Sequence, residues 1–337
     1  MNIFTVMLIC VGALVIFTRI QTKRLEKIYP PVGEFVDIGG YHLHAVHVPK
    51  APENDLLPIV FIHGASGNLR DPMSVFHHAL VGRAEMLFID RPGHGYSERG
   101  GQENDYPDGQ ASAVAALMAK KGIDRAIIVG HSFGGAIAAS FALAYPQKTA
   151  GLVFLAPATH PWPGGVTWYY SLASIPVVGR LFSSLLSMPI GLGRVDAVTR
   201  CVFAPNDRPD DYIKNTAPHL VLRPHTFRHN AADVANLLDY VKRVAPEYSA
   251  ITAPTVIITG DDDGVVRPDL HSLGLHEAIV GSKLYWIDNL GHKPDYIASD
   301  LAIAAIEDMS GLPRDLEAHA ARVAERISGN QRMCPSQ

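Results

Sequence analysis

The chain has 337 residues, 47% hydrophobic and 18% charged, enough to bury a sizeable core in one large domain or two ordinary ones. A formal net charge of −4 gives no reason to expect a nucleic-acid partner, which demands a basic patch. The three cysteines, Cys10, Cys201 and Cys334, are too scattered for a disulfide framework or a zinc site and fit a reducing compartment.

The first feature is the uncharged run "IFTVMLICVGALVIFT", Ile3 to Thr18. With Arg19 snorkelling and Ile20 added, residues 1–20 reach roughly the 17 to 20 residues that a bilayer needs. No charged segment precedes the run and no A-x-A-like site follows it, which favours an uncleaved single-pass anchor over a cleaved signal peptide. Arg19, Lys23, Arg24 and Lys27 follow the span, and no Lys or Arg precedes it. The positive-inside rule then puts the rest of the chain on the cytoplasmic side, although one end of a single span leaves the opposite orientation open. Residues 21–32 read as a linker, in which Pro30 and Pro31 stop any helix.

From residue 33 the pattern becomes that of a sheet. "EFVDIGGYHLHAVHV" alternates and turns at Gly39-Gly40, a hairpin signal. Continuous apolar runs follow at 58–64, 85–90, 126–130, 152–156 and 255–260, with a less pure one at 283–288. Such runs indicate strands covered on both faces. Helical stretches fall between them, at 108–122, 133–146 and 294–309. Strand alternating with helix predicts an α/β domain with a parallel sheet and helices on both sides. From 158 to 250 the rhythm breaks. "SIPVVGRLFSSLLSMPIGLG" and "AADVANLLDYVKRVA" read as helices. The return of the strand pattern afterwards favours an inserted helical cap over a separate helical domain. Residues 33–157 and 251–311 are then the two halves of one core. A last amphipathic helix, with Leu316, Ala320, Val323 and Ile327 on one stripe, lies within 312–337, and the final stretch reads as frayed.

The segment "AIIVGHSFGGAIAA" joins a strand to a helix through Gly130-His131-Ser132-Phe133-Gly134, a G-x-S-x-G pattern in the context that gives it meaning. A serine on so sharp a turn crowds its neighbours, and small residues two before and two after relieve the clash. It then stands at a helix N-terminus, where free N–H groups favour a developing oxyanion. Its hydroxyl needs a base, and the base needs an orienting carboxylate. "GDDDGVV" sets Asp261, Asp262 and Asp263 after one buried strand, and "NLGHKPDY" sets His292 after the next. The turn after "FIHG" brings the Ala65 N–H forward as one oxyanion donor, and the Phe133 N–H is the second. His63 reads as a packing histidine.

His63-Gly64, "DRPGHGYS" (90–97), "GHSFGG" (130–135), "GDDDGVVRP" (260–268) and "GHKP" (291–294) together resemble the α/β-hydrolase superfamily, in its branch with a helical cap. The resemblance covers about residues 33–311. It implies an α/β-hydrolase fold with a mostly parallel eight-stranded sheet. It also implies a triad of Ser132, His292 and, as the fourth residue of G-x-x-D, Asp263. Asp261 and Asp262 are left to turn formation, and Asp90 and Arg91 to holding their loop. The strand ending "FLAPATH" carries no carboxylate, which supports Asp263. Branches that open epoxides or remove halides use an aspartate where Ser132 stands. The expected chemistry is acyl transfer to water without metal or organic cofactor, on a small ester or lipid-like substrate. Carbon–carbon bond hydrolysis and perhydrolysis on the same triad stay open, as does a non-catalytic, membrane-anchored binding protein. The fold alone names no substrate, and the oligomeric state is not legible.

Overall fold

Helix α1 (Ile3–Ile28) takes in the whole apolar run and continues through the basic flank as far as Ile28. Asn2 caps it by accepting the Thr5 amide, and Tyr29 closes it just before Pro30 and Pro31. In this computed structural model, which describes residues 2–330 and Cys334, α1 is long and apolar enough to cross a membrane, with a mean hydropathy of 2.4 over its best 18 residues. The reading of the last stretch as frayed falls, past Asn330, on positions outside the described residues apart from Cys334.

Eight strands form one sheet: β1 (Glu34–Asp37), β2 (His42–Val48), β3 (Ile59–Ile62), β4 (Met86–Ile89), β5 (Ala126–His131), β6 (Thr149–Leu155), β7 (Thr255–Gly260) and β8 (Lys283–Ile287). Their order is β1-β2-β4-β3-β5-β6-β7-β8. Only β2 runs against its neighbours, β1 and β4, and the other pairs are parallel. The β1–β2 hairpin turns where Gly39 and Gly40 take φ of 111° and 108°, a conformation that glycine adopts freely.

Helices α2 (Arg70–Leu80), α3 (Pro107–Lys120) and α4 (Phe133–Ala144) connect the first strands. Between β6 and β7 lie α5 (Trp168–Ser174), α6 (Pro176–Phe182), α7 (Met188–Gly191), α8 (Val195–Phe203), α9 (Tyr212–Thr216) and α10 (Pro224–Val244), the helical cap. Helices α11 (Pro268–Ala278), α12 (Pro294–Ile297), α13 (Ser299–Met309) and α14 (Leu316–Ile327) complete the chain.

The sheet is buried on both faces because successive side chains of its apolar strands point opposite ways. Ile59, Phe61, Phe88 and Val129 pack beneath α2, α13 and α14, with Phe61 stacked between Phe76 and Phe88. Val60, Ile62, Leu87 and Ile128 face α3 and α4. Each such side chain contributes about 1.5–3 kcal/mol by leaving water. Leu237, Tyr240 and Val241 of α10 join this second layer, so the last cap helix is part of the core. Helix α1 packs elsewhere. Its Leu25 is buried with Met188, Val195 and Leu222 of the cap.

One inference from the sequence is corrected. Cys201, on α8, is bonded to Cys334, so the cysteines do not speak for a reducing compartment. The partners are 133 residues apart, and only the fold brings them together. Cys10, exposed on α1, is free.

Candidate active site

Strand β5 ends at His131 and α4 begins at Phe133, which leaves Ser132 to make the turn alone. It does so at φ 53° and ψ −118°, a conformation costly for a residue with a side chain. The neighbours over-determine it. The Ser132 N–H donates to the Leu155 carbonyl at 3.0 Å, and the Ser132 carbonyl accepts from Gly135 at 2.9 Å and Ala158 at 3.0 Å. The flanking glycines are demanded by contact. A Cβ on Gly130 would lie 2.5 Å from the Gly134 carbonyl oxygen, and one on Gly134 would lie 2.3 Å from that of Ile62.

The loops after β7 and β8 bring Asp263 and His292 to this serine. His292 Nε2 is 3.0 Å from Ser132 Oγ, and His292 Nδ1 is 2.7 Å from Asp263 Oδ2. Asp263 Oδ1 accepts the amides of Val265 and Val266 at 2.8 and 2.9 Å. Burial pushes the Asp263 carboxyl up, but His292 and these two amides outweigh it and hold the pKa below the usual 3.8. Asp263 therefore stays ionised as an acceptor, which leaves Nδ1–H as the donor and Nε2 free to accept from the serine. Of its neighbours, Asp261 accepts the Asn289 amide at 2.7 Å and shapes the turn, while Asp262 faces solvent.

The two expected oxyanion donors stand on segments that adjoin Ser132. Phe133 is the first residue of α4, so its N–H has no acceptor within the helix. Ala65 follows Gly64, on which a Cβ would lie 3.1 Å from Ser132 Cβ. The next residue, Ser66, has φ 59° and is clamped from the cap. Its N–H donates to Asn230 Oδ1 at 2.6 Å, and Asn230 Nδ2 donates to Ser66 Oγ at 3.1 Å.

Beneath these loops runs a buried polar layer. His63 accepts the Arg91 amide at Nε2, at 3.1 Å, and donates from Nδ1 to the Gly64 carbonyl at 2.8 Å, a packing role. Asp90 accepts the amides of Leu69 and Tyr96 at 2.7 and 2.8 Å, and His44 Nδ1 at 2.6 Å. Arg91 is fully buried. It donates to Gln110 and Asp233 at 2.8 Å each and to the Gly64 carbonyl at 3.3 Å, and its guanidinium lies 4.5 Å from the centre of the Phe133 ring. One cation thus steadies both segments that carry the expected donors.

Sequence reasoning missed a second buried cluster. Lys293 Nζ lies 2.9 Å from Asp71 and from Asp295, and His131 Nε2 donates to the His292 carbonyl at 2.8 Å. Burial pushes the Lys293 ammonium down, and the two carboxylates more than restore it. The available signal was adjacency, since His131 and Lys293 are chain neighbours of Ser132 and His292. Asp71, His131 and Asp295 offer ligand atoms within 4.8 Å of one another. They do not suit a metal, because Lys293 already supplies the counter-charge and the His131 Nε2 proton is committed to a carbonyl.

Comparison with known proteins agrees with this fold. A sequence model described as the α/β-hydrolase fold matches residues 58–177. An uncharacterised protein of Mycobacterium tuberculosis is 29% identical over 290 residues, covering 81% of this chain and 79% of its own. A 2-hydroxy-6-oxononadienedioate/2-hydroxy-6-oxononatrienedioate hydrolase from Pseudomonas is 27% identical over 278 residues, covering 77% of this chain and 89% of its own. The structure of a thermophilic esterase from Thermogutta terrifontis superposes with a TM-score of 0.60 at 17% identity, covering 89% of this chain and all of its own. Strand order and matched sequence agree: the chain has the α/β-hydrolase fold.

Proposed function

We propose that this protein is a membrane-anchored serine hydrolase that cleaves an ester or similar acyl bond in a small, apolar or lipid-like substrate. The observation that carries the reading is the hydrogen-bonded series from Asp263 through His292 to Ser132 at a strained elbow. Ser132 Oγ attacks the carbonyl carbon as its proton passes to His292 Nε2, and Asp263 steadies the imidazolium. The amides of Ala65 and Phe133 hold the oxyanion, each worth about 100- to 1,000-fold in rate. The tetrahedral adduct collapses, and the leaving alcohol takes the proton from His292. Water then attacks the acyl-serine, His292 takes its proton, and the acid departs with the enzyme restored.

The apolar substrate is supported by the aromatic groups of the cap, where Trp168, Tyr169, Tyr170, Phe182 and Phe227 touch in sequence. The anchor is supported by the length and hydropathy of α1. The basic flank supports the cytoplasmic side for the domain, which is the placement proposed. The Cys201–Cys334 bond argues for the oxidising side, and protease protection in sealed vesicles decides between them.

The test is labelling of the purified protein by a fluorophosphonate. Labelling lost in Ser132→Ala and much weakened in His292→Ala is the expected result. A folded protein that does not label overturns the reading. Carbon–carbon bond hydrolysis on the same triad is a second reading, favoured by the name of the Pseudomonas relative. Parallel assay on simple esters and on a 2-hydroxy-6-oxo-dienoate separates the two.

A further inference from the structure

Where α1 passes the cap there is a groove of about 790 Å³. Ile16, Thr18 and Ile20 form part of one wall, and Ser184 and Pro224 part of the other. Four cations line it: Arg19 and Lys23 from α1, Arg180 from α6 and Arg228 from α10. Its one acid, Glu26, already faces Arg223 at 3.3 Å. None of the four cations has a hydrogen bond or ion pair among the described residues. Burial and then the like charge of Arg180 push the Arg228 guanidinium below its usual pKa, against a weaker opposing pull from Asp105. Cations gathered without counter-ions in a recess mark a place for an anion.

Two further observations say what kind. Thr18 is 97% buried in the groove wall, and its hydroxyl has no hydrogen-bond partner among the described residues. The groove also sits where the apolar run of α1 gives way to its basic flank, the depth at which lipid headgroups lie. Beside it the cap exposes large apolar side chains on α5, on α6 and between them. Trp168 is 68% exposed, Val177 69% and Leu181 61%, and Ile175 stands out at the bend. A soluble surface would not leave so many together, whereas a surface resting in acyl chains would.

We propose that this groove binds the headgroup of an anionic phospholipid, whose chains lie along Ile16 and Ile20 of α1 and the exposed apolar face of α6. The proposal rests on the reading of α1 as a membrane anchor. The phosphate faces Arg180, Arg228, Arg19 and Lys23, and a headgroup oxygen reaches the Thr18 hydroxyl. Bound there, the lipid is held between anchor and cap and fixes how the cap meets the bilayer.

The test uses the full-length protein in detergent with equal amounts of phosphatidylglycerol and phosphatidylcholine of matched chains, read by native mass spectrometry. Retention of phosphatidylglycerol over phosphatidylcholine by about tenfold is expected. The double variant Arg180→Gln/Arg228→Gln should lose that preference, and Arg180→Lys/Arg228→Lys should keep most of it. Thermal melts show that both variants are folded. Equal retention of the two lipids by the unaltered protein, or a preference that survives the glutamine pair, overturns the proposal. Displacement of phosphatidylglycerol by millimolar inorganic phosphate would make this a site for a free anion and overturns the lipid source. Alkaline extraction of native membranes checks the anchor separately. A protein released by carbonate fails as an anchored protein, whereas one that stays in the membrane without lipid preference fails only at the groove.

Discussion

At the scale of single residues, the site turns on who holds the proton. Asp263 is ionised because His292 and two amides stabilise its charge. Its pKa is depressed, so its contribution to stability is complete above the unfolded value near 3.8 and is lost as pH falls below that toward the folded value. Its titration therefore lies outside the range from pH 5 to 9, and a kcat/KM profile there should show no ionisation from this carboxylate. Asp263→Asn keeps the shape but permits the wrong imidazole tautomer. It should lower kcat by about 10⁴-fold with little change in KM, measured on any ester that the protein accepts. Lys293 stands differently. It touches no reacting atom, yet it is the cation paired with two buried carboxylates behind His292. Lys293→Met leaves Asp71 and Asp295 unbalanced and should cost about 3–5 kcal/mol in urea unfolding. If the cluster were structurally idle, the melt would barely move.

At the scale of elements, the loop that carries the proposed oxyanion donor Ala65 is shaped by a cap helix. The Ser66 backbone is in a strained conformation, and Asn230 of α10 supplies both hydrogen bonds that hold it. Asn230→Ala should loosen Ala65 as a donor, lowering kcat by about 10- to 100-fold and stability by about 1–3 kcal/mol. Fluorophosphonate labelling should slow in proportion, since phosphonylation also builds charge on that oxygen. This clamp shows where sequence reading stops. Strands β3 to β7 were legible because each carries a short apolar run bounded by turns, β1 and β2 because they alternate about Gly39-Gly40, and the elbow because its glycines stand two before and two after the serine. His292 and Asp263 were placed by lying after successive strands. The clamp joins positions 164 residues apart, and neither Ser66 nor Asn230 carries a local pattern that announces the other. The extension of α1 to Ile28 was also hidden, because its basic flank reads equally well as a linker and as the polar end of a helix. Its packing on the cap through Leu25 resolves the choice.

At the scale of the whole molecule, histidines held low by burial set the response to acid, among them His225, His229 and His271, each pushed down to about 4. Burial holds His63, His94 and His131 well below 6.5, aided by Arg91 for the first two and Lys293 for the third. Below pH 6.5 the unfolded chain binds protons at these positions and the folded chain does not, so stability falls as pH drops. Each contributes up to about 1.4 kcal/mol per pH unit. Urea midpoints at pH 7.5, 6.5 and 5.5 should therefore be nearly flat over the first step and fall clearly over the second. The cap, finally, is an insertion and would by connectivity be moored to the core at two points, the ends of its own segment. The Cys201–Cys334 bond adds a third mooring, from α8 to the far end of the chain. It closes a covalent ring that holds Asp263 and His292 but leaves Ser132 outside. A single proteolytic cut within that ring leaves both fragments on one molecule until a reductant parts them, and any wide swing of the cap must drag the tail with it.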